Sequence, residues 1–209
     1  TLVYSVLCLP FVLIIPMYLA QMVIKEIRAR GVFRAIFYWP SMISFIVVGI
    51  SFRFLFSDTT GVINFLIEQL GFGKVSFLTN SAGAMAILVL ATIWSRTGFL
   101  MVVYMSGLQS IPQSYYEAAE VDGAKPFQRF MKITLPLLKP TMFLVVILTL
   151  IDLFKSYGLV IQLTKGGPGT ATTFAVQYIF QQAFDKLNLG YASALSIILM
   201  LILATFTVV

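Results

Sequence analysis

Histidine is missing from the 209 residues altogether, and cysteine occurs once, as Cys8. These two absences exclude a His/Cys zinc site and a disulfide framework within the chain. Charge is scarce as well, at 11% of residues against roughly 25% in a soluble domain. Hydrophobic residues rise to 59%, more apolar surface than a soluble core of this size could hide. The composition therefore predicts an all-α, polytopic membrane protein. A phosphate-cradling G-x-x-x-x-G-K-[ST] loop is lacking too, since the nearest piece, Gly71-Phe72-Gly73-Lys74, has the wrong spacing. No catalysis is expected of this chain. The net charge of +6 raises the question of nucleic acid, but the basic residues gather at the ends of apolar runs. That pattern fits the positive-inside rule and argues against a nucleic-acid partner.

What is present is a series of apolar segments. Residues 2–24 carry no charge and are long enough to cross about 30 Å of hydrocarbon. No basic region precedes them, so they do not read as a signal peptide. Lys25, Arg28, Arg30 and Arg34 follow, with Glu26 alone against them, and mark a cytoplasmic end. Residues 33–56 form the expected second span and 82–108 the third. Between them lies an external connection, 58–80, whose Val62, Ile63, Phe65, Leu66 and Leu70 make the apolar stripe of an interfacial helix. The fourth span is 140–163 and the fifth 191–209. They are separated by a turn-rich loop, Thr164-Lys165-Gly166-Gly167-Pro168-Gly169, and a second interfacial helix over 174–184. That makes five transmembrane helices, beginning outside.

The longest charged interval, residues 115–140, lies between the third and fourth spans. Pro112 suits the first turn of a helix, acids stand early, and Gly123 falls just past its end, where φ > 0 is needed. Pro126 opens a second helix with Phe127, Phe130 and Met131 on one face, and Leu135-Pro136 is expected to stop it. Lys125, Arg129, Lys132 and Lys139 form a second basic cluster and put the loop on the cytoplasmic side.

Glu117-Ala118-Ala119, three residues, Gly123, nine residues, Ile133, one residue and Leu135-Pro136 resemble the EAA loop of binding-protein-dependent ATP-binding cassette (ABC) importers. FYWPSMIS, GLQSIPQSYYEAA, ITLPLLKPT, LTKGGPG and GYASALS are similar to the sugar-uptake branch, of the maltose, multiple-sugar and glycerol-phosphate type. The resemblance implies a single transmembrane permease domain over 1–209, with a cytoplasmic coupling loop at 109–136 that docks on a separate ATPase. It also implies a six-helix core, so a chain of five spans starting at Thr1 reads as a fragment lacking the first helix and the C-terminal end. The implied setting is a bacterial cytoplasmic (inner) membrane. The implied partners are ABC ATPase subunits, a second permease subunit (identical or homologous), an extracellular solute-binding protein and a sugar or polyol substrate. ATP and Mg2+ would be bound by the ATPase, leaving this chain without a cofactor. A glycerol-phosphate permease is the alternative, and an ion-coupled secondary transporter a further one.

Within the loop, Glu117 either caps its own helix or meets a basic group on the ATPase. Arg96 and Asp152 are intramembrane charges, expensive unless they face a partner or a watery path. They form a structural ion pair, or they line the sugar path with Asp152 accepting from hydroxyls. Ser156, one turn beyond Asp152, would extend that face. Trp94 is either a packing residue or a stacking surface for a sugar ring.

Overall fold

The computed structural model describes residues 1–24 and 30–208, with side chains described for 1–24 and 31–207. Lys25, Glu26 and Arg28, and the side chain of Arg30, which carry the first basic cluster, lie outside the described residues. Among those described every regular element is helical. In order they are α1 (Leu2–Ile24), α2 (Arg30–Tyr38), a 3-10 turn (Trp39–Met42), α3 (Phe45–Leu55), α4 (Val62–Gln69) and α5 (Ser81–Gln109). Next come α6 (Gln113–Val121), α7 (Pro126–Arg129), a π-turn (Phe130–Thr134), α8 (Leu135–Leu137), α9 (Lys139–Phe154) and α10 (Gly158–Leu163). The last are α11 (Ala175–Phe180), a second π-turn (Gln181–Asp185) and α12 (Leu189–Val208).

Three of these, α1, α5 and α12, are long and apolar enough to cross a membrane. The count reaches five if the helix pairs 31–42 with 45–55 and 126–137 with 139–154 each make one broken span. The chain is thus an all-α polytopic membrane protein. Pro10 and Pro16 sit inside α1 without ending it.

Two expected spans are not continuous helices. Residues 33–56 are interrupted at Ile43–Ser44, where Pro40 sits in the 3-10 turn and Ser44 caps α3 by accepting from the Ile46 N–H at 3.4 Å. Residues 140–163 are interrupted between Phe154 and Gly158. Lys155, Ser156 and Gly158 weaken the helix locally at that point, and a tertiary contact adds to it. Across α3 and α10, a Cβ on Gly49 would stand 2.8 Å from the Gln162 Cβ, and one on Gly158 would stand 3.2 Å from Ile46 Cγ1. A crossing this close needs two helix faces without side chains, and the break frees α10 to reach it.

The contacts divide the chain into two compact units. The first comprises 1–9, 43–95 and 149–209. Tyr4 is fully buried in it, with its ring 4.5 Å from that of Phe174 and its hydroxyl 2.5 Å from the Thr92 hydroxyl. The connection 57–80 belongs here and is tied down by two side chains. Asp58 accepts from the Phe77, Leu78 and Thr79 N–H groups at 2.6, 3.0 and 2.9 Å. Asn64, buried, pairs both its amide groups with the Val75 backbone at 2.9 Å.

The second unit comprises 10–42 and 96–148. Val12, Ala20, Met101, Tyr104, Met105, Leu138 and Val145 make its core. The Ser41 hydroxyl reaches the Phe99 N–H at 2.9 Å, pinning the 3-10 turn to α5.

Candidate coupling loop and path residues

The segment after α5 is a helix–turn–helix, built for local reasons. Pro112 has extended ψ and stands as the N-cap of α6. Asp122 caps its other end, and Gly123 follows at φ +71°, the left-handed value that an L side chain adopts at a cost. A Cβ on Gly123 would meet nothing within 4 Å, so dihedral preference alone requires glycine there. Lys125 is extended, as a residue before proline must be, and Pro126 opens α7.

Leu135-Pro136 does not stop this arm, contrary to the sequence expectation. Pro136 lacks an N–H, and the turn before it widens: the Leu135 N–H bonds to Phe130 O, five residues back. Through that π-turn the helix runs on into α8, and it meets α9 with a 64° bend at Leu138.

The motif residues divide by exposure. Glu117, Ala118, Gly123 and Pro136 are exposed, Ile133 and Leu135 half-buried, and Ala119 buried. Around them Val121 is 88% exposed and Phe127 71% exposed, with Tyr115 and Met131 also open. Large apolar side chains beside a carboxylate and two basic residues (Lys125 and Lys132) make a mixed surface suited to another protein rather than to lipid alone.

Two residues that hold this shape, Tyr116 and Thr134, were not singled out by sequence reasoning, and a third, Arg129, entered it only as a charge of the basic cluster. The Tyr116 hydroxyl lies 3.0 Å from the Thr134 hydroxyl. Arg129 donates from Nε to Ala124 O at 2.9 Å and from Nη1 to Glu120 Oε2 at 3.3 Å. The signal that could have found Arg129 is its opposite charge to Glu120 across the Gly123 corner.

The remaining candidates lie in the apolar helices. Trp94 in α5 is exposed, with its ring 5.6 Å from that of Phe52. Arg96 stands two positions on and is half-buried. At 3.6 residues per turn the two point about 200° apart, so they do not share a face of α5. Asp152 is half-buried in the last turn of α9. Ser156 does not continue its face, because α9 ends at Phe154. Ser156 instead lies in the three-residue break that follows α9. Among the described residues no three His, Cys, Asp or Glu side chains gather as metal ligands.

Among the described residues the chain is thus a helical membrane protein with three to five apolar spans and an exposed helix–turn–helix between two of them. Residues 12–209 match the family described as binding-protein-dependent transport system inner membrane component, and the chain belongs to that family. It is 37% identical over 188 residues to the trehalose/maltose transport system permease protein of Thermococcus litoralis, covering 88% of this chain and 62% of that protein. It is 33% identical over 208 residues to the sn-glycerol-3-phosphate transport system permease protein of Rhizobium meliloti, covering 99% and 71%. A crystal structure of a bacterial ABC transporter involved in the import of the acidic polysaccharide alginate superposes with a TM-score of 0.87 at 28% identity. That superposition covers 99% of this chain and 74% of the other. The chain thus spans less than two thirds of the length of the archaeal relative. The family is one of transport components, not of enzymes.

Proposed function

We propose that this chain is the membrane-spanning permease subunit of an ATP-driven importer, forming part of the path for an oligosaccharide or polyol. The helix–turn–helix carries the reading: Glu117 and Ala118 stand exposed on α6, and Gly123 takes φ +71° at its corner. In this reading residues 109–136 are the cytoplasmic EAA loop of a single permease domain and dock on a separate ATPase that binds ATP and Mg2+. The five apolar segments belong to a six-helix core in a bacterial inner membrane. A second permease subunit and an external solute-binding protein complete the assembly.

The carbohydrate reading is supported by the trehalose/maltose and alginate relatives. Arg96, Asp152 and Ser156 are proposed as polar groups of the path, with Asp152 accepting from substrate hydroxyls, and Trp94 as a stacking surface. The glycerol-phosphate permease of Rhizobium meliloti, matched over nearly the whole chain, favours a second reading in which Arg96 answers a phosphate.

Uptake into proteoliposomes tests both. The full-length permease is reconstituted with its partner permease, ATPase and binding protein, and offered labelled trehalose, maltose and glycerol 3-phosphate. ATP-dependent uptake of a neutral sugar, lost in Glu117→Lys and Gly123→Asp, is the expected result. Uptake of glycerol 3-phosphate alone would move the substrate to the second reading. Uptake driven by an ion gradient and indifferent to both loop changes would overturn the importer assignment.

A further inference from the structure

The Gly123 corner is not held by packing. The space where a side chain would stand is empty, Val121 is 88% exposed and Phe127 71% exposed. A corner with nothing packed into it takes its angle from whatever polar groups bridge its arms. Two side-chain bridges do so here, beside the turn's own bond from the Ala124 N–H to Ala119 O at 2.9 Å. Near the corner, Arg129 reaches back from α7 to the carbonyl of Ala124 and to Glu120 on α6. Glu120 is largely exposed, so its ion pair with Arg129 contributes little by itself. The bond to Ala124 O, on α7's own side of the corner, fixes the Arg129 side chain in the position from which that pair is made. Far from the corner, the Tyr116 hydroxyl meets that of Thr134, which is buried.

Thr134 is the last residue of the π-turn. A turn widened by one residue rotates whatever follows by about 100° relative to a regular helix. The π-turn that accommodates Pro136 therefore also sets where Thr134 stands and how α8 leads into α9. The loop is bridged near its corner and again at its far end, and its second arm runs on into α9.

The geometry points to Tyr116, Thr134 and Arg129 as positioning residues that make the two arms one rigid lever, so that displacement of α6 is delivered to α9 and not absorbed at Gly123. None of the three has to touch the ATPase. This inference rests on the coupling role proposed for the loop, but its mechanical half concerns this chain alone.

Spin labels at Ser114 and Lys139, both exposed and outside the bridges, read the angle between the arms. The wild-type full-length protein is expected to give one narrow distance, unchanged between the permease alone and the ATPase complex trapped with ATP and vanadate. Tyr116→Phe and Thr134→Val each remove one hydroxyl, and either combined with Arg129→Ala should broaden the distribution about twofold. Arg129→Lys keeps the charge but not the forked donor and should fall between. In proteoliposomes the double variants should still bind the ATPase and hydrolyse ATP. Their uptake of labelled maltose and trehalose per ATP should fall about fivefold. A distribution as narrow as wild type in the double variants overturns the lever. Failure of the ATPase to associate with wild type instead defeats the coupling role, and the label width still decides whether the bridges hold the arms.

Discussion

Two loops in this chain are organised by opposite means. The connection 57–80 is held from within by two polar side chains: Asp58 takes three backbone N–H groups, and Asn64, 2% exposed, closes both ways on Val75. The loop 110–137 turns many large apolar groups outward and holds itself with few side chains, Tyr116, Thr134, Arg129 and Gln128 among them. The first is a self-contained cap. The second has few bonds of its own and presents a surface, which suits the docking role proposed for it.

The contrast predicts where single substitutions act, and the largest effect belongs to the cap. Asn64→Ala removes the partner of the Val75 N–H and C=O, two part-buried hydrogen bonds that contribute about 0.5–1.5 kcal/mol each. Hydrogen exchange at Val75 should accelerate about a hundredfold, which corresponds to ~2.7 kcal/mol. Should Val75 exchange at the wild-type rate, the loop is held by something other than Asn64.

Gly123→Val comes next. It places a β-branched residue at φ +71°, at a cost of about 1–2 kcal/mol. Binding of the ATPase subunit should weaken roughly tenfold with membrane insertion intact, while Gly123→Asn should be much milder.

Asp58 supplies a pH dependence to the cap. Partial burial would raise its pKa, but the N–H groups of Leu78, Thr79 and Phe77 and the Thr79 side chain outweigh that and hold it below the ordinary value. Its contribution is therefore complete above the ordinary carboxylate pKa of about 4 and is lost as pH falls through the depressed one. Exchange at Phe77, Leu78 and Thr79 should stay slow down to about pH 4. In Asp58→Asn it should be about tenfold faster already at neutral pH. Equal protection of wild type and Asp58→Asn at neutral pH would contradict this.

The smallest effect on stability is expected at Val121. Val121→Ser should shift unfolding by no more than about 0.5 kcal/mol, because the side chain is almost entirely in the open. It should nevertheless weaken ATPase binding measurably, which separates a presented surface from a structural one.

The sequence made the second loop legible and left the breaks in the spans hidden, for the same reason. Pro112, Gly123 and Pro126 act on their own backbone, so a corner at Gly123 follows from residue type and order. The interruption at residues 155–157 has only a weak local signal, Lys155-Ser156 before Gly158, and no proline. It answers the close approach of Gly49 to α10, a contact between residues more than a hundred positions apart. Ser156 accordingly left the face of Asp152 on which helical periodicity had put it. Leu135-Pro136 misled in another way: a proline forbids a regular hydrogen bond, but one widened turn avoids the prohibition. Arg129 was visible as a charge, not as a bridge.

The most direct test of the coupling assignment is site-directed cross-linking at the exposed Ala118. Ala118→Cys in the full-length permease, co-expressed with its ATPase, should form a cross-linked product with the ATPase subunit when treated with a short bifunctional maleimide. Leu70→Cys in the cap should form none. Capture of the ATPase at position 70 and not at 118, or reaction of position 118 with an impermeant maleimide applied from outside, would contradict the account.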